Sequence, residues 1–274
     1  MIPRASITAW RAQAPWAGDE QVEQDLVLSR ALTEIFARPR LQQALAFRGG
    51  TALHKLYFNP PGRYSEDLDF VQVEPGPIGH ELSELREALD HWLGEPAWKQ
   101  GPESAKLLYR FETTVLPVRP MRVKIEINTR EHFSVDGLQR VPFSVKNPWH
   151  TSDGLVTTFT AEELLATKMR ALFQRRKGRD LYDLWLALTT LAIDEAHIVE
   201  CLREYLVRAG TRISRAEFEE NMAAKLRSPD FRADVVPLLR DSAGYTVDSA
   251  AALVHDRLIV RLPGEPWKGE LLLG

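Results

Sequence analysis

The chain is 274 residues long, 44% apolar and 27% charged, with a formal net charge of −3. That is enough apolar sequence for a sizeable core in one large domain or two modest ones, and an ordinary charge content for a globular protein. The net charge excludes a globally basic nucleic-acid binder while leaving room for local basic patches. Cys201 stands alone, so an internal disulfide is excluded, which fits a reducing cytoplasm. Residues Met1 to Trp16 carry no apolar h-region, so no secretory signal is expected there. No apolar run approaches the roughly 20 residues that span a bilayer, and the seven histidines lack metal-binding spacing, which argues against zinc.

Between Asp19 and Ala37, the residues Val22, Leu26, Leu32, Ile35 and Phe36 recur at near-helical spacing, and Pro39 follows the predicted end. Phe47-Arg48-Gly49-Gly50-Thr51 breaks that pattern, and a short helix is predicted from Thr51 to Phe58. After Pro60-Pro61-Gly62, a strand is expected from Ser65 to Val73. Leu82, Leu85, Leu89, Trp92 and Leu93 predict an amphipathic helix stopped by Gly94. Strand patterns return at Leu107–Val115 and Met121–Thr129, and Asp136-Gly137 marks a further turn. This mixture predicts an α+β domain over residues 1–150, ending near Pro148, and an almost wholly helical domain over 151–274. In the latter, Thr160 to Glu163 and Ser214 to Glu217 read as capping boxes, Gly178 separates two helices, and Ser228-Pro229 starts another. The tail after Pro263 is expected to be loosely held.

Ser65-Glu66-Asp67-Leu68-Asp69-Phe70 is the most informative stretch. Strand side chains alternate, so Asp67 and Asp69 project from one face while Leu68 and Phe70 enter the core. Two carboxylates that close repel one another unless a cation lies between them, and Mg²⁺ takes hard oxygen ligands at about 2.0–2.1 Å. A solvated strand edge gives the same pattern. The alternation of Met121 to Asn128 leaves Lys124, Glu126 and Asn128 opposite a core face of Val123, Ile125 and Ile127. If the two strands are neighbours, Glu126 supplies a third carboxylate, and three can hold two metal ions about 3.5–4 Å apart. Adjacency does not follow from the sequence.

Gly49-Gly50-Thr51 precedes a helix, where glycines allow close backbone approach and free amides attract phosphate, although paired glycines also mark plain turns. Lys55 lies on the same helix face as Thr51, either to touch phosphate or to be solvated. Lys168 falls inside the apolar stripe of Leu164, Leu165, Ala171 and Leu172, where an ammonium is costly unless paired or bound to an anion; snorkelling at the stripe's edge is the alternative. Arg170, Arg175, Arg176, Lys177 and Arg179 form a local basic run suited to a phosphate-rich partner. Asp180 sits where a carboxylate caps a helix dipole, whereas Asp183, one turn further in, suits an active-site or lysine-pairing role.

Taken in order, Gly49-Gly50-Thr51-Ala52-Leu53-x-Lys55, Ser65-x-Asp67-Leu68-Asp69, Lys124-x-Glu126 and Lys168-x-x-Ala171-x-x-x-Arg175-x-x-x-Arg179-Asp180-x-x-Asp183 resemble the AbiEii/MenT nucleotidyltransferase toxins. These belong to the DNA polymerase β-like nucleotidyltransferase superfamily, and the likeness covers about Phe47 to Trp185. The resemblance implies a mixed-sheet nucleotidyltransferase core followed by a helical domain, with the active site in the cleft between them. It implies that Gly49, Gly50, Thr51, Lys55 and Ser65 bind the nucleotide, with Lys168 neutralising phosphate charge. It further implies Asp67 and Asp69 as ligands of Mg²⁺ (or Mn²⁺), Glu126 completing the acidic site, and Asp183 or Asp180 as the acid of the final block. The substrates it implies are an NTP and an RNA such as tRNA, for which the basic run of Arg175, Arg176, Lys177 and Arg179 is the expected contact, and the implied partner is a cognate antitoxin; a cytoplasmic location is expected.

The leading expectation is therefore transfer of NMP from an NTP to an RNA 3′ hydroxyl. A metal-dependent nuclease is an alternative, although Lys124-Ile125-Glu126 reverses the usual acid-then-lysine order. A catalytically silent binding protein acting through the helix from Lys168 to Arg179 is another. A phosphate added to Ser65 would place about −1.5 to −2 charge where the triphosphate must go.

Overall fold

The computed structural model describes residues 2–240 and 244–269. The chain divides into two compact units, residues 1–159 and 160–274.

The first unit opens with α1 (Arg4–Trp10) and α2 (Asp19–Phe36). Pro39 does more than end a helix: it is the first residue of α3 (Pro39–Ala44), the position where a missing N–H costs nothing. There follow β1 (Leu45–Arg48), α4 (Gly49–Leu56), β2 (Asp67–Gln72), α5 (Gly79–Leu93), β3 (Ala97–Gln100), β4 (Ser104–Glu112), β5 (Pro120–Asn128), β6 (Gln139–Asn147) and β7 (His150–Thr158). The strands form one mixed sheet in the order β3-β4-β5-β2-β1-β7-β6. β2 runs parallel to β5, and β1 runs antiparallel to β2 and parallel to β7. This is the α+β architecture expected from the sequence.

One expectation is corrected. The chain does not turn helical at Pro148, because β6 and β7 extend the sheet to Thr158. β6 does alternate, with Val141, Phe143 and Val145 on its less exposed side, but its partner β7 opens on polar residues and Asp153-Gly154 interrupts its pattern, so the pair has no matching apolar period two.

One sheet face holds the core. Leu68 and Phe70 of β2 stand level with Ile125 and Ile127 of β5, all buried. Phe36 of α2 meets Phe70 at a ring-centroid distance of 5.9 Å, and Phe47 of β1 meets it at 5.3 Å. Because side chains alternate, burying this set turns Asp67, Asp69, Lys124 and Glu126 to the opposite face. Sheet packing therefore fixes the direction of every polar group at the site.

The second unit contains α6 (Ala161–Gln174), α7 (Gly178–Thr190), α8 (Glu195–Arg208), α9 (Arg215–Leu226), α10 (Pro229–Ala233) and α11 (Val247–Arg257). Thr160 Oγ1 caps α6 by accepting from the Glu163 amide at 3.2 Å, and the buried Glu163 carboxylate accepts from Tyr205 Oη at 2.8 Å. Ser214 and Glu217 form the capping box of α9, and Ser228 caps α10. A Cβ on Gly178 would lie 2.2 Å from the Phe231 carbonyl oxygen, so only glycine admits this helix start. The tail is tied down as far as Trp267, whose amide donates to Glu219 at 2.6 Å; residues 270–274 lie outside the described ones. No helix among the described residues is long and apolar enough to cross a membrane.

Candidate active site

β1 passes directly into α4 at Gly49, whose φ of +82° is open to glycine and strained for other residues. The helix begins at Gly49 rather than at Thr51, so both glycines form its first turn, where amides lack helical partners. A Cβ on Gly49 would stand 2.9 Å from Asp69 Oδ2, so the glycine brings the helix start against that carboxylate. Thr51 Oγ1 donates to the Asp67 carbonyl at 2.6 Å and lies 2.6 Å from Ser65 Oγ. Its one proton being spent, Thr51 accepts there, and Ser65 is the donor. The two hydroxyls thereby tie the start of α4 to the start of β2.

The parallel pairing sets Asp67 level with Lys124 and Asp69 level with Glu126. The third carboxylate thus joins the other two. Lys124 Nζ lies 2.9 Å from Asp67 Oδ2 and 3.2 Å from Glu126 Oε2, and Lys106 of β4 reaches Glu126 Oε1 at 2.8 Å. Arg48, level with Asp69 on β1, pairs with Glu131 at 2.7 Å. Burial and the charge of Asp67 push the Asp69 carboxyl above the ordinary carboxylate range, against the pull of Lys124 and Arg48. Burial works against the Lys124 ammonium, but its hydrogen bond to Asp67 and the surrounding carboxylates outweigh this and raise its pKa. For Glu126, burial is outweighed by Lys106 and Lys124, and the pKa falls.

These carboxylates fit a hard divalent cation. Asp67 and Glu126 already converge on the ammonium of Lys124, and Asp69 sits in an acidic environment that a divalent charge would relieve. Both oxygens of Glu126 are engaged by lysines, whereas Asp67 and Asp69 are the pair on a single strand.

Lys55 is not brought to this face. Its ammonium bonds Asp25 Oδ2 at 3.1 Å and Ser29 Oγ at 2.8 Å on α2, so it is neither solvated nor turned toward the carboxylates. In the second unit, Lys168 is buried and paired with Asp180 at 3.0 Å and Asp183 at 2.9 Å, which excludes snorkelling. Arg175 adds a bidentate pair to Asp180, at 2.6 and 2.8 Å. Burial raises the Asp180 pKa, but Lys168 and Arg175 outweigh it and hold the carboxyl below its usual range. Asp180 is therefore more than a helix cap. Within the basic run, Lys177 pairs with Asp234 at 3.2 Å, Arg176 is exposed and Arg179 is half-buried. Lys106 and Arg48 also stand at the carboxylate face, and nothing in their sequence context marks them as site residues. Their only signal there is period-two polarity, which becomes informative once the strand neighbours are known.

The family model of the AbiEii nucleotidyl transferase toxin, type IV toxin–antitoxin system, matches residues 30–253. Among solved structures, MenT4, a nucleotidyltransferase toxin from Mycobacterium tuberculosis, is similar with a TM-score of 0.67 at 20% identity, over 96% of this chain and 91% of its own. JHP933 from Helicobacter pylori is similar with a TM-score of 0.54 at 15% identity, over 89% of this chain and 92% of its own. At such identities the likeness speaks to fold alone. No curated protein matches by sequence. With its family model spanning most of the length, the chain belongs to the AbiEii family of nucleotidyltransferase toxins from type IV toxin–antitoxin systems.

Proposed function

We propose that the carboxylate face of β2 and β5 catalyses transfer of NMP from an NTP to the 3′ hydroxyl of an RNA, tRNA being the expected acceptor. The observation that carries this reading is the placement of Asp67, Asp69 and Glu126 on one sheet face beside the Gly49-Gly50-Thr51 helix start. In this reading the acceptor hydroxyl forms a bond to the α-phosphorus, the α–β phosphoanhydride breaks, and pyrophosphate leaves. The protein's task is positioning and charge neutralisation rather than covalent catalysis. Asp67 and Asp69 would hold the divalent cation, Mg²⁺ or Mn²⁺, and Glu126 would orient Lys106 and Lys124 beside it. When bound, that cation neutralises triphosphate charge and helps align the nucleotide.

Amides of Gly49 and Gly50, with the hydroxyls of Thr51 and Ser65, would receive the triphosphate. Lys168, with Asp183 beside it, is the second unit's candidate for neutralising phosphate charge. A cognate antitoxin and a cytoplasmic location follow from the same reading. Purified protein incubated with Mg²⁺, each α-labelled NTP and total tRNA should place label on RNA, and EDTA should abolish it. Shortened RNA, or an absence of label with every nucleotide, would contradict the reading.

Gly49→Ala tests the helix start separately. A Cβ there meets Asp69 and strains the backbone. Since small misplacements of reacting groups cost up to about 100-fold, the transfer rate should fall by roughly that factor with the fold retained. A wild-type rate would show that this close approach is not used.

A further inference from the structure

The open face of β3, β4 and β5 carries more positive charge than its own acids balance. Antiparallel pairing sets Lys99 opposite Lys106 and Arg110 opposite Arg122. All four side chains are exposed and lie on the same face as Lys124, because they share its alternation. Lys106 and Lys124 are balanced by Glu126 and Asp67. Lys99, Arg110 and Arg122 make no side-chain hydrogen bond or ion pair among the described residues. Like charges directly opposite on a sheet are destabilising, and this face keeps two such pairs in a chain whose net charge is −3.

The direction of the patch matters as much as its sign. One row of register partners runs from Lys99 through Lys106 and Glu126 to Asp69, from the edge strand to the carboxylates. Arg110 and Arg122 lie on the same face to one side of that row, four residues along their strands from Lys106 and Glu126, with Leu108 and Lys124 between. Arginine presents a planar fork matched to phosphate oxygens. The basic run on the helices differs, since Arg175 and Lys177 are engaged by Asp180 and Asp234.

We propose that the open face of β3–β5 binds the phosphodiester backbone of the single-stranded acceptor next to its reacting hydroxyl, with Arg110 and Arg122 as principal contacts and Lys99 at the outer edge. This rests on the nucleotidyl-transfer reading and gives its acceptor a surface. The shared chemistry is phosphate, so the test must separate a nucleic-acid backbone from the triphosphate of an NTP.

Fluorescence anisotropy with a short labelled single-stranded RNA, over a series of salt concentrations, measures the first; calorimetric titration with NTP measures the second. The Arg110→Ala/Arg122→Ala variant should bind RNA about tenfold or more weakly, and its salt slope should drop by about 1.4, from two lost contacts at about 0.7 each for single strands. Its melting temperature should hold or rise, since a repulsive pair is gone, which separates ligand contact from a structural role. Wild-type affinity and slope in the Arg110/Arg122 variant would overturn the proposal. So would an absence of RNA binding by the wild type, or a loss confined to NTP affinity. If RNA binding depends on this face but the wild type takes up no NTP, the surface stands and the transfer reading fails.

Discussion

Asp67→Asn should abolish nucleotidyl transfer while leaving the protein folded. The side chain is 38% exposed, and its partner Lys124 is 31% exposed. Ion pairs at such positions contribute on the order of 0–1 kcal/mol, so losing this one barely shifts the unfolding temperature. The catalytic cost is of another order, because the substitution removes a charge that fixes the site's cation and triphosphate. Removing a single preorganised neutral donor already costs about 10²–10³ in rate, and a charged anchor should cost at least the upper figure, equivalent to about 4 kcal/mol of transition-state stabilisation. Single-turnover transfer and thermal melting on the same preparation check both halves. Transfer at the wild-type rate would remove Asp67 from the chemistry, and a collapsed fold would make its role structural.

Lys168→Met should have the largest effect on stability. The ammonium is 6% exposed and bridges two carboxylates that are fully buried, Asp180 and Asp183. Taking away one partner of a buried ion pair typically costs about 3–5 kcal/mol, because the remaining charge is left in a poor dielectric. For a domain of this size that corresponds to a melting temperature lowered by about 10 °C or more. The same cluster predicts acid sensitivity. The Asp180 carboxyl is depressed in the folded state, so its contribution is complete above the unfolded carboxyl range of about pH 4 and is lost as pH falls through the lower folded value. Calorimetry of the variant across acidic pH measures both effects. A melting temperature within about 2 °C of wild type would mean that the pairs are not structural, leaving phosphate neutralisation as the role of Lys168. If the loss is as large as expected, inactivity of the variant must be judged against the amount of folded protein.

The alternation of Asp67 with Leu68 and of Lys124 with Ile125 was readable directly, because period two is a local property of the chain. The carboxylate face followed from it, but its third member did not. Glu126 joins Asp69 only through a parallel pairing between strands separated by α5, β3 and β4. Such a register is decided by the packing of Phe70, Ile125 and Ile127 and not by neighbouring residues. Lys55 illustrates the same limit from the other side. Helical spacing set it on one face with Thr51, but its actual partner, Asp25, lies on α2, and nothing in the sequence links the two. Charge along the chain also misled in one respect. The run from Arg175 to Arg179 looks like a polyanion site, yet acids from later in the chain engage part of it. Lys99, Lys106, Arg110 and Arg122 form no run in sequence, and the sheet alone gathers them.

The β2–β5 carboxylates and the start of α4 are proposed to hold the reacting nucleotide. A crystal soaked with Mn²⁺ and a non-hydrolysable NTP, measured at the manganese absorption edge, tests this most directly. An anomalous peak is expected between Asp67 and Asp69, with the triphosphate against the amides of Gly49 and Gly50. A nucleotide bound away from β2, or a peak that persists in an Asp67→Asn/Asp69→Asn variant, would contradict it.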